Sequence, residues 1–194
     1  MPATETRPLL SGISIRRFTE IADRERLEPA LDAIFFEASA TQSFASEDAR
    51  AVFRERWLGR YLKHEPQWAY VARDADGSVA GYLVGSIDDP RRNQRYGDVG
   101  YFLDFAHLTE DYPAHLHVNL APGYRNRGIG AALIEAFATA AAAAGAAGMH
   151  VVTGSGSRNV RFYERNGFCE LARATFNANE VVFLGRRLAP PETA

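Results

Sequence analysis

Leu120-Ala121-Pro122-Gly123-Tyr124-Arg125-Asn126-Arg127-Gly128-Ile129-Gly130 lies between a strand pattern and a long alanine-rich helix pattern. Free backbone N–H groups at a helix start carry partial positive charge, and glycines let phosphate oxygens reach the backbone, so the stretch suits an anion. Arg125 and Arg127 add charge-assisted donors matched to a diphosphate. Upstream, residues 115–120 alternate as a strand, with Leu116, Val118 and Leu120 on one face and His115, His117 and Asn119 on the other. Downstream, a helix is predicted over 128–144. Glu135 and Thr139 interrupt its alanines and Gly145 and Gly148 close it, which favours a soluble helix over a membrane span.

Other phosphate loops fail on the same residues. A Walker loop begun at Gly123 reaches Gly128 but then meets Ile129 and Gly130 where Lys and Ser or Thr are needed. Gly154-Ser155-Gly156 opens like a dinucleotide fingerprint, but Asn159 stands at the third glycine position.

Working outward, strands are predicted over 12–18, 68–72, 79–87, 149–153, 168–176 and 181–188, besides 115–120. Helices are predicted from Leu27 to Phe35, capped within 19–23, from Ser46 to about His64, and over 158–166. Arg73-Asp74-Ala75-Asp76-Gly77-Ser78 reads as a hairpin turn. Residues 88–113, with Arg91, Arg92 and Arg95 among aromatics and carboxylates, read as an irregular substrate-facing insertion. The order β α α β β β α β α β β mixes hairpins with βαβ crossovers and gives an α/β fold, a mixed sheet with helices on both faces.

At 194 residues the chain fits one domain of roughly 150 residues with an insertion. Residues 1–11 and 190–194 read as tails around a domain at 12–189. A net charge of −2 argues against a surface built for nucleic acid or anionic membrane. The single cysteine, Cys169, forms no internal disulfide and reads as a packing residue in a reducing compartment, with the cytoplasm expected. No signal peptide, membrane span or metal cluster is read.

Arg125-x-x-Gly128-x-Gly130, followed by Asn159-x-x-x-Tyr163-x-x-x-Gly167-Phe168, resembles the GNAT superfamily of acetyl-CoA-dependent N-acetyltransferases. The element order from Gly12 to Leu188 shares the resemblance. It implies a GNAT-like, mostly antiparallel sheet in which two parallel strands, 115–120 and 149–153, splay to admit acetyl-CoA or coenzyme A. By that resemblance the N–H groups of Arg125, Asn126, Arg127, Gly128, Ile129, Gly130 and Ala131 hold the diphosphate. Val118 and Leu120 pair with the pantetheine arm through their backbone, Asn159 hydrogen-bonds it, and Phe162 and Tyr163 line its path. A bulge placed at Leu120 exposes an N–H to the thioester carbonyl. Tyr163 matches the tyrosine that protonates the departing thiolate, a role suited to a phenol protonated at neutral pH.

Attack on a thioester needs a neutral amine, so a base must take a proton. His115 and His117 have suitable chemistry and resemble the His-x-His pair of arylalkylamine acetyltransferases, one residue out of register; Asp104 and Glu37 are the carboxylate candidates. Tyr112-Pro113-Ala114-His115-Leu116-His117 is also similar to bacterial acetyltransferases resembling the acetyltransferase-like domain of O-GlcNAc hydrolases, a branch in which activity is not a given. The expected activity is direct acetyl transfer to a small-molecule or protein amine in a ternary complex, and the alternative is a non-catalytic acyl-CoA-binding module. A homodimer is among the expectations, since similar proteins commonly dimerise.

Overall fold

The Asp74 N–H donates to Ser78 O at 2.9 Å and Gly77 takes φ +89°, a left-handed turn position that suits glycine. This turn closes the hairpin between β2 (Tyr70–Arg73) and β3 (Val79–Ser86) in a computed structural model that describes residues 12–189. The segments 1–11 and 190–194, read as tails, lie outside the described residues. β1 (Ser14–Arg17) flanks β2 and β4 (Ala114–Leu120) flanks β3, all antiparallel. β5 (Gly148–Gly154) runs parallel to β4. The hairpin of β6 (Cys169–Phe176) and β7 (Asn179–Arg187) completes a seven-stranded sheet ordered β1-β2-β3-β4-β5-β7-β6. This is the mixed α/β sheet that the element order predicted, mostly antiparallel as the resemblance implied.

Helices cover both faces. α1 (Glu28–Ala38) and the run α2 (Glu47–Arg54), a π-turn (Glu55–Gly59) and α3 (Arg60–His64) lie on one face. Leu31, Phe35, Leu58 and Tyr61 bury there against Tyr82, Val84 and Phe183. α6 (Ile129–Ala143) and α7 (Arg158–Glu164) cover the other, where Ile129, Leu133 and Phe137 pack on Leu116, Met149 and Val151. Burial of these large apolar side chains is the dominant stabilising force.

Local differences from the sequence reading have physical causes. The 19–23 segment does not cap α1; 3₁₀ turns at Phe18–Glu20 and Arg24–Leu27 carry the chain there, and Pro29 sits in the first turn of α1, where its missing N–H costs nothing. Ser46 does cap α2, its Oγ accepting from the Ala49 N–H at 3.1 Å. Trp68 belongs to a 3₁₀ turn set by Pro66 rather than to β2. Cys169 is exposed at the start of β6 rather than packed.

Residues 88–113 are not an open loop. They carry a 3₁₀ turn at Gln94–Tyr96, α4 (Tyr101–Asp104) and α5 (Ala106–Thr109), and bury Tyr96, Val99, Tyr101, Phe102 and Phe105 on the α1 side of the sheet. Asp98 anchors the segment, accepting from Arg60 at 2.7 Å and from Arg56 at 2.8 Å. Its hydrogen bonds to Arg60 hold its carboxyl down at about 2.

Candidate active site

β4 and β5 pair only at Ala114↔Met149 and His115↔His150. Beyond that point the strands diverge, although β4 runs on to Leu120 and β5 to Gly154. On its other edge β4 stays in unbroken register with β3, from Ser86↔His115 to Gly81↔Leu120. The bulge placed at Leu120 is therefore absent. Gly81 lets the two strands approach so closely that a Cβ there would lie 2.7 Å from Asn119 O, and the opening comes from the departure of β5 alone. The β5-facing backbone of 116–120 is left without a strand partner, the geometry of an edge that accepts an added extended ligand.

A cleft of about 830 Å³ occupies the opening. Val118, Asn119 and Leu120 line it from β4, and Glu37 and Ala38 from the end of α1. Arg125, Asn126, Gly128, Gly130 and Ala131 form the wall at the start of α6. Ile129 is fully buried beneath that wall, and exposed Arg127 lies with its guanidinium 5.2 Å from the Tyr124 ring centroid.

The backbone of this wall is shaped for an anion. Asn126 and Gly128 both adopt positive φ, 60° and 82°, a twist that gathers successive N–H groups into a concave nest. The first α6 hydrogen bond in this region runs from Ala132 N–H to Gly128 O at 3.0 Å, so the N–H groups of Ile129, Gly130 and Ala131 have no partner within the helix. Arg125 donates through Nε to Leu120 O at 3.2 Å and forms an ion pair with Glu37. The residues fit a diphosphate.

α7 supplies the third wall. Asn159, Phe162 and Tyr163, expected at the site, all line the cleft, and so do Arg158, Arg165 and Asn166, which the sequence reading did not single out. The 158-to-165 spacing brings two arginines onto one helix face, the signal that could have found them. Tyr163 packs edge-on against Phe162 and Phe168, and burial pushes its phenol above its ordinary value, so the proton stays on at neutral pH.

The two strand histidines lie on the α1 face and outside the cleft wall. His115 is 3% exposed, ringed by Tyr61, Tyr96, Phe102 and His150 at centroid distances of 4.6 to 5.8 Å. Burial and the neighbouring His150 hold it well below the ordinary histidine range. His117, half-buried and nearer the cleft, has Nε2 3.3 Å from the Tyr61 hydroxyl and lies edge-on to Trp57 at 5.3 Å. Burial pushes it down to about 4, so it is neutral at physiological pH. Asn119, next along this face, does reach the cleft and donates to the Tyr82 hydroxyl at 2.9 Å. Asp104 is exposed on α4.

Among the described residues no helix is long and apolar enough to cross a membrane, and no group of His, Cys, Asp and Glu is placed to hold a metal ion. Residues 31–168 match the acetyltransferase (GNAT) family. Among solved structures, SsHAT is 26% identical over 92% of this chain and 99% of its own, with a TM-score of 0.69. The yncA protein from Salmonella typhimurium, solved with its cofactor acetyl-CoA, is 17% identical over 94% of this chain and 97% of its own, at a TM-score of 0.59. A GCN5-related N-acetyltransferase from Kribbella flavida is 18% identical over 92% of this chain and 99% of its own, at 0.60. The last two likenesses concern the fold, whereas the family match spans the splayed strands, the nest at the start of α6 and Tyr163 together: the chain belongs to the acetyltransferase (GNAT) family and is an acetyl-CoA-dependent acetyltransferase.

Proposed function

We propose that the protein transfers acetyl directly to an amine bound beside acetyl-CoA, without an acyl-enzyme. The observation that carries this reading is the cleft itself, which joins the nest at the start of α6, the unpaired edge of β4 and Tyr163, and reaches Glu37 and Ala38 on the α1 side. Acetyl-CoA supplies the activated acyl group as a thioester. The nest from Arg125 to Ala131 holds the diphosphate, Val118 and Leu120 offer backbone groups to the extended arm, and Asn159 fixes that arm from α7.

Holding both reactants in line accounts for much of the expected acceleration, as it does for oriented bimolecular reactions generally. Tyr163 holds its proton at the position where the thiolate departs and delivers it there. Proton removal from the acceptor ammonium falls to the α1 side of β4, where His117 is the neutral imidazole nearer the cleft. His115, sealed among aromatic rings, supports that wall rather than exchanging protons with the cleft.

The acceptor is a small-molecule or protein amine. The test is thiol release from acetyl-CoA in the presence of polyamines, amino sugars, amino acid amides and peptides with free N-termini. Amine-dependent release with intersecting double-reciprocal lines in the two substrates supports direct transfer. Acetyl-CoA binding with no release by any amine would favour a non-catalytic acyl-CoA-binding module, and parallel double-reciprocal lines would point to an acyl-enzyme instead.

A further inference from the structure

The nest at the start of α6 makes few bonds of its own. Before it, the Tyr124 N–H donates to Ala121 O at 2.9 Å and the Arg125 N–H to Pro122 O at 3.3 Å; after it, the α6 ladder begins with the Ala132 N–H. Between these points the N–H groups of residues 126–131 have no backbone partner among the described residues. The groups turned towards an anion are thus unavailable to hold the loop, and its conformation has to be imposed from outside.

Tyr124 supplies an outside anchor. Its hydroxyl donates to Asp74 Oδ2 at 2.9 Å, 50 residues away in the chain, while its ring lies 5.2 Å from the Arg127 guanidinium. The bond to Asp74 pulls the phenol above its ordinary value, so the donated proton stays on. The β2–β3 turn that carries Asp74 is itself well tied. Asp74 Oδ1 accepts from the Ala75 N–H at 2.7 Å, the Gly77 N–H donates to Asp74 O at 2.9 Å, the Ser78 N–H to Asp76 Oδ1 at 2.8 Å, and Arg73 Nε to Gly77 O at 3.1 Å. The two oxygens of Asp74 therefore divide their work, one closing its own turn and the other reaching the loop. The ion pair of Arg125 with Glu37 also ties this loop to a distant element, but it lies in the cleft, where a bound anion draws on the same guanidinium. Tyr124 and Asp74 lie outside the cleft lining, so a ligand there does not compete for their bond.

We infer that Asp74 is a positioning residue: through Tyr124 it orders the N–H array of the nest before coenzyme A arrives, so the β2–β3 turn sets cofactor affinity from outside the cleft. The inference rests on the reading of the nest as the diphosphate site. An array ordered in advance spares the complex the entropic cost of ordering it on binding. Loss of the anchor leaves every group that meets the cofactor in the chain but lets the loop sample other backbone conformations. Affinity then falls while the fold persists.

Calorimetric titration of the full chain with coenzyme A, run as a double-variant cycle, tests the assignment. Tyr124→Phe, which keeps the ring beside Arg127, and Asp74→Ala should each weaken binding roughly three- to ten-fold, the scale of one hydrogen bond. The double variant should be no weaker than Asp74→Ala alone, because both substitutions remove the same bond. Asp74→Asn, whose amide can accept from Ala75 and donate to the phenol, should restore most of the affinity. Asp76→Ala removes a carboxylate that serves the turn alone and should keep full affinity even where its melting temperature falls. Backbone order parameters of residues 126–128 in the ligand-free chain should be lower in Tyr124→Phe than in the unaltered protein, and equal once coenzyme A is bound. Unchanged affinity in Tyr124→Phe would overturn the proposal, as would additive losses in the cycle or an equal loss in Asp76→Ala. Absence of coenzyme A binding by the unaltered protein would overturn the reading of the nest and the positioning role with it. The ligand-free order parameters separate these failures, since they report the anchor without any ligand.

Discussion

Arg125 and Glu37 form an ion pair across the cleft, joining the nest at the start of α6 to the last turn of α1. Both side chains are exposed by more than two-fifths, so the pair is screened and its own contribution to stability is small. Its consequence lies in competition, because a diphosphate in the nest draws on the same guanidinium. Glu37→Gln should therefore tighten coenzyme A binding about two- to five-fold, the scale of an exposed ion pair, in a calorimetric titration. Unchanged or weaker binding would mean that Arg125 does not exchange partners.

The same geometry separates the two arginines of the loop. Arg125 lines the cleft and Arg127 lies over the Tyr124 ring. Arg125→Ala should raise KM for acetyl-CoA roughly ten-fold with a smaller change in kcat, since the lost bond is made in ground and transition states alike. Arg127→Ala should cost less. Steady-state kinetics in both variants checks the ranking, and equal effects would contradict it.

Tyr163 gives the opposite kinetic pattern. Its phenol is buried, lines the cleft and is held above its ordinary pKa by desolvation. Tyr163→Phe removes one hydroxyl and keeps the ring that packs on Phe168. The expected result is a fall in kcat of about 10²-fold with little change in KM for acetyl-CoA. Because the raised pKa keeps the phenol protonated, kcat of the parent enzyme should show no falling limb from this group below about pH 10. An unaltered kcat in the phenylalanine variant would remove Tyr163 from the proton path.

Gly128 carries the backbone demand of the nest. At φ 82° it caps α6 in the left-handed region, which costs a side-chain-bearing residue about 1–2 kcal/mol. Gly128→Val should lower stability by that order and weaken coenzyme A binding through a displaced N–H array. Urea midpoints and calorimetry on one preparation measure both effects; a stable variant with full affinity would show that the turn is not required.

Legibility in the sequence followed locality. The nest could be read because its glycines and arginines lie within eleven residues directly after a strand pattern, and Tyr163 could be picked out because Asn159-x-x-x-Tyr163-x-x-x-Gly167-Phe168 resembles the family motif. The π-turn at Glu55–Gly59 left no mark in a pattern that scans as one helix, and the four-residue α4 and α5 are too short to establish a period. The bulge at Leu120 is implied only by resemblance, and the unbroken pairing with β3 that excludes it, ending at Gly81↔Leu120, involves residues distant in sequence. Arg158 and Arg165 reach the cleft only through the folding of α7, whose Phe162 docks on Gly130. Likewise, alternation placed His115 and His117 on one strand face, but the depth of the aromatic layer above that face comes from 96–105 folding over it.

That aromatic layer makes the fold acid-sensitive in a defined window. His150 stacks on Phe183 at 4.6 Å and donates through Nδ1 to Tyr112 O at 2.6 Å, leaving Nε2 as a buried nitrogen without a partner. Burial lowers His150 and His117 to about 4 and His115 well below its ordinary value. In the unfolded chain each titrates near 6.5. Above that pH neither state binds the protons and these groups add no pH dependence. As pH falls from about 6.5 towards 4 the unfolded chain takes up protons that the folded protein excludes, so stability declines by up to about 1.4 kcal/mol per pH unit for each histidine. The decline from His150 and His117 levels off below about 4, where the folded protein also protonates. Urea midpoints between pH 7.5 and 4.5 should show this slope. His115→Leu should reduce it, because an apolar side chain replaces a buried imidazole whose Nε2 has no partner. The same variant should keep kcat while His117→Phe lowers it, which separates the two histidines as candidates for the base. A flat stability profile across that range would show that these imidazoles are not held neutral by burial, and loss of kcat in His115→Leu would return the base to His115.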